Sequence, residues 1–100
     1  MKHEVRNETA AVRLVIEGDV DLHVVAELRR VFRTTFSGKP KLLVVDLGAV
    51  PFIDSSGIAA IVEALKHARQ WEGVVRVENP REAVRDTFDI AGLTAILGIG

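Results

Sequence analysis

The chain switches its hydrophobic period from two to about 3.6 and back several times, and that alternation limits its fold more than any other feature. Val12, Leu14 and Ile16 recur at every second residue, with Arg13 between them and Glu17 after, so this stretch is a strand with one wet face. Gly18-Asp19 ends it. A shorter strand over residues 4–7 is expected to pair with it through a turn near Glu8-Thr9. From Val25 the period lengthens. Val25, Leu28, Phe32 and Phe36 share one helical stripe, while Glu27, Arg29, Arg30 and Arg33 face water. Ser37-Gly38-Lys39-Pro40 stops that helix, with Gly38 expected as its C-cap.

Leu42-Leu43-Val44-Val45 is a continuous apolar run, expected of a central strand buried on both faces and ending at Asp46-Leu47-Gly48. After a loop carrying Pro51, a second helix is expected over 56–70, with Ile58, Ile61, Val62 and Leu65 inward. Trp71-Glu72-Gly73 closes it, with Trp71 as a lid on the core. Val74 to Val77 reads as the last strand, and Asn79-Pro80 as the cap and first-turn proline of a third helix. That helix turns Ala83, Val84 and Phe88 inward and ends near Ala91-Gly92, and an apolar tail, Leu93 to Ile99, is expected to pack back on the sheet.

The order is β-β-α-β-α-β-α. Strands joined by helices give an open α/β layer fold, here a four-stranded mixed sheet, and right-handed crossovers place the helices mainly on one face. Residues 1–100 make one domain with a real core. Hydrophobic residues at 48% and charged residues at 27% exclude general disorder. A net charge of −1 gives no electrostatic case for nucleic acid or an anionic membrane as partner. With no cysteine there is neither a disulfide frame nor a thiolate metal site. The charged start, Met1 to Arg6, is unlike a signal peptide, and no run of about 18 apolar residues could span a bilayer, so a cytoplasmic protein is expected.

The chemistry-bearing stretch runs from Val44 to Ile58. A buried strand enters a loop, and the loop delivers Asp54-Ser55-Ser56-Gly57 to the start of a helix. Unpaired backbone N–H groups and the positive end of the helix dipole favour an anion there, so a hydroxyl at this place is well sited to receive a phosphate. Gly57 leaves the backbone open to close approach. On its own the tetrad reads first as a cap, since Asp and Ser are favoured cap residues.

Its company carries a resemblance. Val45-Asp46-Leu47 and Phe52-Ile53 before the tetrad, and Ile58-Ala59 after it, resemble the signature of STAS domains, named for sulfate transporters and anti-sigma factor antagonists. Glu17-Gly18-Asp19-Val20-Asp21-Leu22 with Ala26-Glu27-Leu28-Arg29 resembles the family's early turn and following helix. Val84-Arg85-Asp86-Thr87-Phe88 and Ala91-Gly92-Leu93 resemble its last helix. The resemblance covers nearly the whole chain.

What it implies is an anti-sigma factor antagonist, a partner-switching regulator with no catalytic group and no cofactor. Ser55, directly after the aspartate, maps to the phosphorylation site. Unphosphorylated, the antagonist binds an anti-sigma factor that is often a serine kinase; phosphorylation releases it, and a phosphatase restores binding. Asp21, Asp54, Ser56 and Gly57 are the residues expected to line the partner surface. Gly57→Val is accordingly expected to weaken partner binding more than stability. The other role in the family is a constant STAS subunit of an ABC-type lipid transport or stress-sensing scaffold complex.

One departure bears on that surface. The family's first helix opens with a Thr or Ser cap, and Val24 offers none, so Asp21 or His23 caps instead or the turn is rearranged. Asp21 is equally readable as a cap and as a binding residue. Elsewhere, His3, His23 and His67 are scattered and point to no metal site; His67 and Glu63 make an i, i+4 pair on one helix. Arg29, Arg30, Arg33, Lys39 and Lys41 form a modest basic patch. A Gly-x-Ser-x-Gly elbow is absent, so Ser55 is not read as a catalytic nucleophile. Asp46 at a strand end superficially suggests a response-regulator receiver, but the chain is short by one βα unit and lacks a lysine ending Val74 to Val77.

Overall fold

In the computed structural model, which describes residues 1–99, the alternation resolves into β1 (Lys2–Glu8), β2 (Ala11–Glu17), α1 (Val25–Phe36), β3 (Leu42–Ala49), α2 (Ser55–Ala68), β4 (Val74–Glu78) and α3 (Glu82–Ile90). The strands lie in sequence order, β1-β2-β3-β4, the first pair antiparallel and the other two parallel. This is the expected mixed sheet and element order.

The core forms where the apolar faces meet. Leu14 and Ile16 of β2, Leu43, Val45 and Leu47 of β3, and Val75 and Val77 of β4 join the helix stripes in one cluster. From α1 come Val25, Leu28, Val31, Phe32 and Phe36, from α2 Ile58, Ile61 and Leu65, and from α3 Val84 and Phe88. Burying side chains of this size contributes about 1.5–3 kcal/mol each. Val44 is also buried but outside that cluster; it lies between Arg13 and Arg76 in the register, so β3 is covered on both faces as its apolar run required.

Several boundaries moved for local reasons. β1 is longer than expected, and its turn is Thr9-Ala10, with Glu8 opposite Ala11 and Ala10 at φ 61°. Gly38 is not the cap of α1. Ser37 holds that place at φ −57°, its hydroxyl donating to Thr34 O at 2.8 Å, and the left-handed residue is Lys39 at φ 48°. Nor does Asn79 cap α3: it sits at φ 58° and donates to Asp46 Oδ2 at 3.2 Å, so the helix starts later, with Arg81 at its N-cap. Ala83 is consequently exposed, leaving Val84 and Phe88 as the inward stripe.

The expected Glu63–His67 pair does not form. Glu63 takes a two-pronged bond from Arg29 (2.9 and 3.2 Å), tying α2 to α1. His67 instead stacks on Phe36, with centroids 5.4 Å apart, and Trp71 meets both rings edge-on. Trp71 Nε1 donates to Pro40 O at 2.9 Å, so the indole is the expected lid with its polar atom satisfied. Two members of the basic patch are held by local bonds, Arg29 by Glu63 and Lys41 through its Nζ, which donates to Trp71 O at 2.9 Å. The tail curls into a helical turn whose Leu97 is buried in the core and whose Leu97 O accepts from Val77 N at 2.8 Å, covering the outer edge of β4.

On the open face Arg13 is a hub. Its guanidinium reaches Glu8 (3.3 Å), Asp46 (3.1 Å) and Glu78 (2.9 Å), so a residue read as simply wet is half-buried and fixes three strands. The bond from Arg13, with help from Arg76, holds the Glu78 carboxyl below the usual glutamate value of 4.5. A group lowered on folding adds stability that is complete above its unfolded value and is lost as pH falls through its folded one. Glu78→Gln is therefore expected to flatten the acid limb of the stability curve below pH 4.5, as read by urea unfolding at stepped pH, and to leave no such slope difference at pH 6 to 8. Parallel curves for the two proteins across the acid range would remove Glu78 from this role.

Candidate functional site

Beyond the sheet, the loops after β2 and β3 continue side by side. Gly18, at φ 98°, turns the chain out of β2, and Gly18 N donates to Ala49 O at 3.0 Å. Val20 N then donates to Phe52 O (2.9 Å) and Asp54 N to Val20 O (3.1 Å), with Val20 and Ile53 in a parallel bridge. The entry to α1 is thereby fastened beside the entry to α2. Asp21 and Ser55, far apart in sequence, reach one surface because of these bonds.

Asp54 is the fastener. It is the N-cap of α2, its Oδ1 accepting from Gly57 N at 3.1 Å, while its Oδ2 accepts from Leu22 N at 3.1 Å. One carboxylate thus satisfies an unpaired donor of the helix and a donor of the neighbouring loop. The cap reading of Asp54 holds, and the group is only half-buried, so part of the carboxylate stays at the surface.

Asp21 does not cap α1, and neither does His23. The residue before α1 is Val24, with no side-chain cap bond, and Asp21 Oδ1 accepts instead from His23 N at 3.0 Å. The turn is rearranged: Val24 N donates to Asp21 O at 3.1 Å, closing a turn ahead of the helix that leaves Leu22 and His23 exposed.

Ser55 is the exposed first residue of α2, a helix of 14 residues, with Ser56 half-buried behind it. Gly57 is buried. A Cβ on Gly57 would stand 2.7 Å from Ile53 Cγ1, 2.8 Å from Val20 Cγ1 and 3.0 Å from Val20 O. The close approach that its missing side chain permits is therefore made by the chain's own loop after β2. This reverses the expectation that Gly57→Val acts on partner binding before stability.

Exposed apolar residues border the site. Leu22 is 69% exposed and Phe52 51%, one on each of the two fastened loops. Between α2 and α3 runs a groove of about 500 Å³ that begins at Ser55 and is lined by Ile58, Val62, Lys66, Thr87 and Ile90. Ile90, 88% exposed, lies out of phase with the Val84–Phe88 stripe, which was its only signal in the sequence. Among the described residues no cluster of three metal-ligating side chains occurs, and no helix is long and apolar enough to cross a membrane.

A family model described as the STAS domain matches residues 2–100. The chain belongs to the STAS domain family. An anti-sigma F factor antagonist of Lysinibacillus sphaericus is 28% identical to it over 90 residues, covering 89% of this chain and 75% of that protein. The crystal structure of an anti-sigma factor antagonist from Mycobacterium paratuberculosis matches with a TM-score of 0.82 at 21% identity, over 94% of this chain and 80% of that one. The Bacillus cell fate determinant SpoIIAA, in its phosphorylated form, matches with a TM-score of 0.74 at 22% identity, over 95% and 87%. These structures share the fold of this STAS domain, with its mixed open sheet and three helices.

Proposed function

We propose that this STAS domain is an anti-sigma factor antagonist that switches partners through phosphorylation of Ser55 and does no catalysis itself. The observation that carries the reading is the exposed Ser55 hydroxyl at the first turn of α2, on the surface that Asp54 assembles from two loops. The named relative, an anti-sigma F factor antagonist, supports it, as does a structural neighbour solved with its phosphate.

In this reading the unphosphorylated surface is Asp21, Leu22, Phe52, Asp54, Ser55 and Ser56, with buried Gly57 shaping it from beneath. It receives an anti-sigma factor with serine kinase activity. Phosphate on Ser55 adds about −1.5 to −2 charge and three acceptor oxygens. The N-terminus of α2 accommodates that charge, so the domain stays folded. The cost falls on the interface, where the phosphate meets the carboxylates of Asp54 and Asp21 and must shed water before a partner can seat. A phosphatase resets the switch in the cytoplasm.

The test is incubation with the cognate kinase and ATP, followed by mass spectrometry across Asp54 to Ile58. One phosphate on Ser55, and none on Ser55→Ala, is the expected result. A Ser55→Ala protein phosphorylated at the wild-type rate would move the acceptor elsewhere. No phosphate on wild type under any growth condition, with a transporter ATPase or scaffold co-purifying, would replace the switch by a constant-subunit role.

A further inference from the structure

The sheet has two edges, and among the described residues the tail reaches only the β4 one. At β4 the tail takes the outward N–H of Val77. β1 pairs with β2 alone, and all seven of its residues are exposed. A row of unpaired N–H and C=O groups is a template for another strand unless something blocks it. Charges usually block an edge by repelling a second copy of it. The signs along β1 do the opposite.

Lys2, Glu4, Arg6 and Glu8 share the open face of the sheet, as their register with Glu17, Val15, Arg13 and Ala11 shows. When a second copy of β1 lies antiparallel with Val5 opposite Val5, Lys2 faces Glu8 and Glu4 faces Arg6, on both sides of the axis. Every open-face pair is then attractive. A slip by two residues one way sets Glu4 against Glu4 and Lys2 against Arg6; the other way sets Arg6 against Arg6 and Glu4 against Glu8. A parallel pairing in register opposes each charge to itself. On the helix side of the matched register, Val5, which is 43% exposed, meets its own copy, and His3 meets Asn7. Directly opposed residues of antiparallel strands sit close enough for such signs to decide the register.

We propose that β1 is a self-association edge, on which a second copy of this chain pairs antiparallel about a two-fold axis at Val5. The axis stands perpendicular to the sheet, so one sheet runs through both copies and both helix layers lie on the same side. The interface is isologous and closes as a dimer, which uses up the only bare edge among the described strands. A single strand of seven residues is a small interface, so the dissociation constant is expected on the order of 10–100 μM. The inference is independent of the role given to Ser55.

Sedimentation equilibrium on the whole chain tests it. Wild type is expected to show a monomer–dimer equilibrium that weakens with added salt, since the paired side chains remain at the surface. Glu4→Arg opposes two cations across both symmetric pairs, and Arg6→Glu opposes two anions; each is expected to raise the dissociation constant by about tenfold or more. The double variant Glu4→Arg/Arg6→Glu restores opposite signs and is expected to return within about threefold of wild type. Both side chains are more than half exposed, so these variants leave the fold intact, which circular dichroism checks. A wild type that stays monomeric at about 1 mM, single variants that dimerise like wild type, or a double variant that fails to recover would each overturn the proposal.

Discussion

Gly57→Val is expected to lower the unfolding free energy by about 2–4 kcal/mol, an effect as large as many core truncations. The β-carbon alone would collide with Ile53 Cγ1 at 2.7 Å and Val20 Cγ1 at 2.8 Å, and Val20 O stands 3.0 Å away. The two side-chain atoms belong to core residues and the third is backbone, so no flexible group can swing aside. Val20 O is also the acceptor for Asp54 N, so relief by backbone movement would loosen the joint between the two loops. Urea unfolding reads the loss as a lower midpoint at unchanged slope. Gly57→Ala offers a graded check, because its better helix propensity returns up to about 1 kcal/mol against the same clash. A valine variant within about 0.5 kcal/mol of wild type would show that the two loops do not pack as described.

Phosphorylation of Ser55 is expected to weaken binding to the cognate anti-sigma factor by about 100-fold or more, through like-charge contact and desolvation in the interface. Unfolding stability should hold, or rise by about 0.3–1 kcal/mol, because the new charge lies at the N-terminus of α2. Ser55→Ala, which removes one exposed hydroxyl, should bind within about threefold of the unmodified protein. Isothermal titration of the three forms, beside their melting curves, separates an interface effect from a folding effect. If the phosphorylated form bound as tightly as the unmodified one, Ser55 would lie outside the partner surface. If it melted well below it, the helix terminus would not be accommodating the phosphate.

The proposed surface also differs in composition from the one the motif suggests. Asp54 is fixed on both oxygens by backbone donors, so on the proposed surface it would hold the Asp21–Leu22 turn in place as well as present charge. Leu22 and Phe52 supply exposed apolar area, which neutral hydrogen-bonding residues alone would not.

The amino-acid sequence by itself determined the element order, the mixed sheet and the inward faces of α1 and α2, because a hydrophobic period reports directly which side of a strand or helix is buried. Asp54 at a helix start and Ser55 beside it were legible for the same local reason: capping is decided within four residues. The tertiary structure alone decided what depends on residues distant in the chain. Whether Gly57 faced a partner or Val20 turned on how two loops align beyond the sheet, and whether Glu63 met His67 or Arg29 turned on how two helices cross. Arg13 looked like a wet residue because its partners Asp46 and Glu78 lie 33 and 65 residues away. Asn79 looked like a cap because only the register of β3 and β4 brings Asp46 within reach of its amide. Local preferences are read within a turn of chain; long-range bonds override them wherever folding brings a better partner within reach.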